Sequence, residues 1–448
     1  MSRIHTQIHA RARRPKAPRA IAVLTALGLV AASAALSAST ATATAVDPVP
    51  GALTGGDSLI IHQGNGGYDV QHYDIDLTYF KATGEQTRGT IDATATITAR
   101  ALIPLSSFGL DFKGLDVDAV TVNGTPAAAT QRIVNPDLDQ FKLVVTPAAP
   151  VEPGPLTVVV EYSGTPEGYT YRGSGSYIEG WLPSTSFTAG GTARAADGGA
   201  TGIGQPVGSI TWFPNNDVPT DKATYTTSLT VPREFRGVGI GQLLSETAVG
   251  PTHTRFVWDE PVPTATFLTI AAIGEFNEYR DSHTTPGGQT VPIVIDTDPH
   301  LDAAQNNGGT AHLIDLTKQL LDWGEARFGR YQPSVAGYVQ KAIGANYALE
   351  IFGKPFYNGN ISESTFIHEF THQWSGDSVG VKDWTDLWLA EGFATFAPWL
   401  WTEDHGGQTT TARTRNTWAT TAATNALWRV APARLIDKSN LWGTSSYN

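Results

Sequence analysis

His368-Glu369-Phe370-Thr371-His372 sets two imidazoles four residues apart, with a carboxylate directly after the first. On a helix, that spacing stacks both rings on one side, about 40° apart around the axis, so that they can ligate one ion. Zinc accepts nitrogen and carboxylate ligands and in reactive sites keeps a fourth position for water, beside which Glu369 would lie. Eighteen residues separate His372 from Glu391, which sits in the apolar string Leu387-Trp388-Leu389-Ala390-Glu391-Gly392-Phe393. A carboxylate on such a helix is costly to bury unless it is paired or bound to a metal. The pentapeptide alone arises by chance in about 1% of chains of this length, and a Glu at one fixed spacing lowers that by a further factor of about twenty. The chain of 448 residues contains no cysteine, so any metal must be held by His, Asp or Glu.

The elements that must position these groups follow from periodicity. Asn360 with Glu363 forms a candidate N-terminal cap, and Phe366, Ile367, Phe370 and Trp374 supply the apolar faces of a helix carrying His368 and His372. Leu313, Leu316, Leu320 and Trp323 fall at helical spacing, and Gly329 is placed to end that helix. Before residue 280 the pattern is one of strands. Tyr73, Ile75, Leu77 and Tyr79 alternate with polar residues, as do Ile91, Ala93, Ala95 and Ile97, and similar runs occur at 156–162, 225–231 and 266–273. A Gly/Ala-rich stretch over 189–208 is expected as a surface loop, and 46–67, rich in Pro and Gly, as a flexible leader. The expected fold is multidomain α+β: an all-β saddle or sandwich domain over 68–282, then a mixed domain over 283–448.

Residues 1–45 read as a secretory signal peptide. Arg3, Arg11, Arg13, Arg14, Lys16 and Arg19 precede an apolar stretch from Ala20 to Leu36, and Ala43-Thr44-Ala45 offers a small-residue cleavage site. Its removal leaves 24 basic against 42 acidic residues, a net charge of about −18. That balance argues against a nucleic-acid partner. No later segment is apolar and long enough to span a bilayer, so a secreted protein without stable membrane insertion is expected.

At the metal-binding residues the sequence resembles the gluzincin aminopeptidases, the aminopeptidase N-like zinc metallopeptidases. His368-Glu369-x-x-His372-x18-Glu391 matches their signature, the flanking His-Gln-Trp-x-Gly and Trp-Leu-x-Glu-Gly-Phe-Ala strings match beyond the ligands, and Trp212-Phe-Pro-Asn-Asn-Asp217-x-Pro219 extends the likeness into the β domain. Secreted forms from high-GC Gram-positive bacteria look most similar. The resemblance implies a saddle-like β domain followed by a thermolysin-like catalytic domain, one zinc ion on His368, His372 and Glu391, and Glu369 as general base. It also implies further site residues. Glu350, in Tyr347-Ala348-Leu349-Glu350-Ile351, stands where the family's Gly-x-Met-Glu-Asn motif holds an amine-binding Glu, with Tyr in place of Gly and Ile in place of Asn. The alternative for Glu350 is a solvated or salt-bridged surface carboxylate. Gln205, nine residues before Pro214, stands where a second Glu or Gln grips the substrate amine; otherwise it is an ordinary exposed amide. Tyr447 stands about where a family tyrosine stabilises the oxyanion, although the chain ends before the Gly of the Tyr-x-x-Gly string. Asp377 is a candidate hydrogen-bond partner for a zinc histidine, or a helix-end cap.

These residues predict a secreted zinc aminopeptidase acting on peptides with a free N-terminus, its catalytic domain cut short at Asn448. Two rivals remain at this point: a zinc endopeptidase, since the anchor motif is altered, and a non-catalytic surface-binding protein that zinc only stabilises. Glu369 speaks against the second, because a structural site needs no base.

Overall fold

The computed structural model describes residues 46–83, 88–171, 177–189, 191–304 and 308–422. The signal peptide expected over 1–45 and Tyr447 lie outside the described residues. Alternation of apolar and polar side chains gives the strand Tyr68–Phe80, whose Tyr73, Ile75, Leu77 and Tyr79 are buried. It pairs antiparallel with Thr90–Ala101 and parallel with Ala223–Pro232, at the centre of an eight-stranded sheet. A four-stranded sheet that includes Leu105–Asp111 and Gln140–Thr146 contributes Phe108, Leu110, Leu143 and Val145 to the same core. Each such large apolar side chain contributes about 1.5–3 kcal/mol when fully buried.

A five-stranded sheet carries Glu179–Pro183 and Ala200–Ile203 side by side, with Gly180 opposite Ile203. Residues 199–211 are therefore interior rather than a surface loop: Ala200, Thr201, Ile203, Val207 and Ile210 are all buried. Small residues fit here because neighbouring backbone comes close. A Cβ on Gly208 would lie 2.6 Å from the Ile203 carbonyl oxygen.

The segment 46–67 is also not a flexible leader. Val49–Pro50 pairs with Leu105–Asp111, and the Asn65 side chain donates to Asp111 Oδ2 at 2.9 Å. Asp57 accepts from the backbone N–H groups of Leu59, Ile60 and Trp384, and Ser58 donates twice to Asp383, each time at 2.8 Å. Its Gly-rich composition serves close packing, and its polar side chains bind residues distant in sequence.

The mixed sheet begins earlier than expected. Asn277–Thr284 forms a hairpin with Thr290–Thr297, which pairs parallel with Ala336–Gln340; the edge is completed by Phe356–Tyr357 and Ala348–Leu349. The helices are α1 (Pro299–Ala304), α2 (Gly309–Phe328), α3 (Glu363–Thr371), α4 (Leu387–Asp404) and α5 (Thr410–Thr420). Leu313, Leu316 and Leu320 of α2 pack with Phe366, Ile367 and Phe370 of α3 and with Ala397 and Trp401 of α4 in one cluster. Gly329 ends α2 with φ of 93°.

Candidate active site

Helix α3 starts at a Ser cap: Ser362 Oγ accepts from the backbone N–H of Thr365 at 3.1 Å. Asn360, the residue expected to cap, lies two positions too early, outside the turn whose N–H groups need an acceptor. Phe366, Ile367 and Phe370 bury the helix against the mixed-sheet side and turn His368 and His372 the other way, with His372 at the C-cap. The two Nε2 atoms face each other at 3.1 Å.

Helix α4 packs alongside and brings in Glu391. Its Oε2 lies 3.3 Å from His368 Nε2 and 3.7 Å from His372 Nε2, and it is buried without a hydrogen-bond partner. Burial opposes ionisation of this carboxyl, but the two imidazoles outweigh it and hold the group well below the usual range. Two imidazole nitrogens and one orphaned carboxylate oxygen thus converge on a single point, and this is a donor set that zinc fits. The ligand atoms of His368, Glu369 and His372 lie within 4.8 Å of one another, as do those of Glu350, His372 and Glu391.

The orientation of His372 is fixed from behind. Its Nδ1 is hydrogen-bonded to the Ser375 carbonyl at 3.0 Å, which leaves Nε2 free to ligate. Gly376 makes this turn possible: its φ is 123°, and a Cβ there would stand 2.7 Å from His372 Nδ1. Asp377 therefore does not hold the ring. Its backbone N–H donates to the His372 carbonyl, its carbonyl accepts from Lys222 Nζ, and both carboxylate oxygens are buried without hydrogen-bond partners. Burial raises its pKa well above the ordinary carboxylate value.

Glu369 and Glu350 are both buried carboxyls, and desolvation raises the pKa of each. Glu350 is thus no surface residue. It accepts from Gln205 Nε2 at 2.6 Å, a contact that joins the β domain to the catalytic domain. Gln205 and Glu350 line one cavity with His368, Glu369 and Glu391. Gln373 is a positioning residue the sequence did not single out: its Oε1 accepts from Gly353 N–H and its Nε2 donates to the Glu350 carbonyl, so the chain after the second histidine locks the anchor loop. Glu179 and Tyr177, in the same cavity wall, were likewise not foreseen. The one available signal was a Glu heading the otherwise uncharged string Gly180-Trp181-Leu182.

The chain matches the Peptidase M1 N-terminal domain over residues 69–268 and the Peptidase family M1 domain over 358–438. It is 27% identical over 213 residues to glutamyl aminopeptidase of Bos taurus, covering 44% of this chain and 21% of that protein. It is 26% identical over 205 residues to aminopeptidase N of Streptomyces lividans, covering 41% of this chain and 22% of that protein. The aligned part thus spans about one fifth of the length of these curated relatives. Among solved structures it is similar to an M1 zinc metallopeptidase from Deinococcus radiodurans, with a TM-score of 0.73 and 27% identity, covering 88% of this chain and 82% of that one. A mutant of that enzyme, bound to a Tyr-Ser-Ala substrate, matches equally with a TM-score of 0.73.

Proposed function

Because the chain belongs to the peptidase M1 family, we propose that it is a zinc aminopeptidase that removes single residues from the free N-terminus of peptides. The observation that carries this reading is the Gln205–Glu350 pair at 2.6 Å, set in the same cavity as His368 and Glu391. A carboxylate and an amide oxygen in a buried pocket can accept the hydrogen bonds of an α-ammonium. Held there, a substrate presents only its first peptide bond to the metal centre.

His368, His372 and Glu391 are the residues that would hold zinc. When bound, zinc supplies Lewis acidity for the scissile carbonyl and lowers the pKa of water. Glu369 accepts the proton of the attacking water and delivers it to the leaving amine, and burial, by raising its proton affinity, suits it to both halves of that transfer. Glu350 and Gln205 orient the ammonium and so turn peptide-bond hydrolysis into an exopeptidase reaction. The basic and apolar segment over 1–45 supports export of the protein, with cleavage near Ala45.

A panel of aminoacyl anilides and their N-acetylated counterparts, assayed with and without a chelator, tests this reading. Chelator-sensitive hydrolysis confined to free amines is expected; equal cleavage of blocked substrates would point to an endopeptidase instead.

A further inference from the structure

Beside the ammonium anchor, the cavity wall is built by the strand Glu179–Pro183 and the loop that follows Ala200–Ile203. Glu179 is 3% exposed and lines the cavity. The loop carrying Gln205 is shaped around it: Gly204, with φ of 138°, would place a Cβ 2.3 Å from Glu179 Cβ. The next turn supplies Val207 N–H to Glu179 Oε2 at 3.0 Å. The second oxygen, Oε1, is buried and has no hydrogen-bond partner. The segment 204–207 thus carries the anchor amide and also holds this half-satisfied carboxyl.

The apolar part of the wall is aromatic. Tyr347 donates to the Ile178 carbonyl at 3.0 Å, and its ring lies 6.2 Å from that of Tyr177. Tyr347 thereby ties the anchor string that ends in Glu350 to the residue preceding Glu179. Among the described residues lining the cavity there are four carboxyls, Glu179, Glu350, Glu369 and Glu391, and no Lys or Arg. In the reading above, Glu391 serves the metal, Glu369 the proton transfer and Glu350 the ammonium, which leaves Glu179 for the substrate side chain; a long one with an apolar stem and a cationic head finds a complement for each part.

We infer that Glu179 is a specificity-determining residue: it selects peptides whose N-terminal residue is Lys or Arg, with the side-chain stem along Tyr177 and Tyr347 and the cationic head on Glu179 Oε1. Burial pushes the carboxyl of Glu179 up to about 8, so a bound cation must displace its proton, a cost that falls as pH rises toward 8. The inference rests on the aminopeptidase reading above.

The test compares kcat/KM for Arg-, Lys-, Leu- and Glu-anilides in the wild type and in Glu179→Gln, whose amide oxygen can still accept from Val207. A hydrogen-bonded charge predicts that the wild type prefers Arg and Lys over Leu by about tenfold or more, and that the variant loses about tenfold on both while Leu changes by less than about threefold. Equal losses on all substrates would reduce Glu179 to a loop clamp and overturn the inference. A second measurement needs no variant: inhibition of wild-type Leu-anilide hydrolysis by free L-lysine against L-norleucine, which shares the stem and lacks the cation. Lysine is expected to bind more tightly by about tenfold, and equal inhibition would overturn the assignment. Hydrolysis of Leu-anilide without a basic preference sinks this inference alone, whereas inactivity on every anilide sinks the aminopeptidase reading and this one with it.

Discussion

Gln205 and Glu350, 145 positions apart, meet through a 2.6 Å hydrogen bond from Nε2 to Oε1 across the junction of the β domain and the catalytic domain. In the proposed reading, the pair would make exopeptidase action a property of both domains. Gln205→Ala removes one acceptor for the substrate ammonium and leaves the metal ligands untouched. Losing a hydrogen bond to a charged group costs about 1.5–3 kcal/mol, so kcat/KM on aminoacyl anilides should fall about tenfold to a hundredfold with zinc content unchanged. An unaltered kcat/KM would remove Gln205 from the anchor.

Asp57 ties the segment before the β domain to the turn that opens helix α4. Its carboxylate accepts from Leu59, Ile60 and Trp384 N–H groups, and Trp384 lies just ahead of the helix that delivers Glu391. Asp57→Ala leaves these donors unsatisfied at a cost of about 1–3 kcal/mol. Thermal unfolding should begin several degrees lower, with zinc retention weakened in parallel; an unchanged melting temperature would show that the segment is not a brace.

Asp377 offers a test of which group holds the zinc histidine. His372 Nδ1 is bonded to the Ser375 carbonyl, and the Asp377 carboxyl is buried without a partner. Asp377→Asn should therefore leave zinc affinity within about threefold of the wild type, whereas loss of a true ligand-orienting group costs about tenfold to a hundredfold. A drop of that larger size would return Asp377 to the role first expected of it.

Stability should fall as pH rises through neutrality, and Glu260 is one identifiable cause. Burial pushes its pKa from 4.5 up to about 7, against the hydrogen bonds it receives from Ser334 and Val262. A carboxyl whose folded pKa is raised binds its proton more tightly when folded. Its contribution is therefore fully present below pH 4.5 and is lost as pH rises through about 7. In Glu260→Gln the melting temperature should vary less between pH 5 and 8 than in the wild type, and parallel profiles for the two proteins would contradict the assignment.

Much of this was legible in the sequence wherever side chains alternate or recur at fixed period. The strand Tyr68–Phe80, the helix Gly309–Phe328 and the zinc helices all announced themselves through apolar spacing. What composition concealed were the places where small residues serve close packing. Ala200–Ile203 reads as loop because Gly and Ala carry no pattern, yet it is an interior strand. Residues 46–67 read as linker because the partners of Asp57 and Asn65 lie far along the chain. In the site, the spacing of His368, His372 and Glu391 pointed to the metal, whereas Gln373 and Glu179 reach the cavity and its anchor loop through contacts that no local spacing encodes.

Glu369 is the proposed proton carrier beside a metal that His368, His372 and Glu391 would hold. Metal content and aminoacyl-anilide turnover, measured on the same preparation of Glu369→Gln, test it most directly. One zinc per chain, as in the wild type, with turnover reduced by about a thousandfold or more is the predicted result. Zinc retained together with near-wild-type turnover would contradict it.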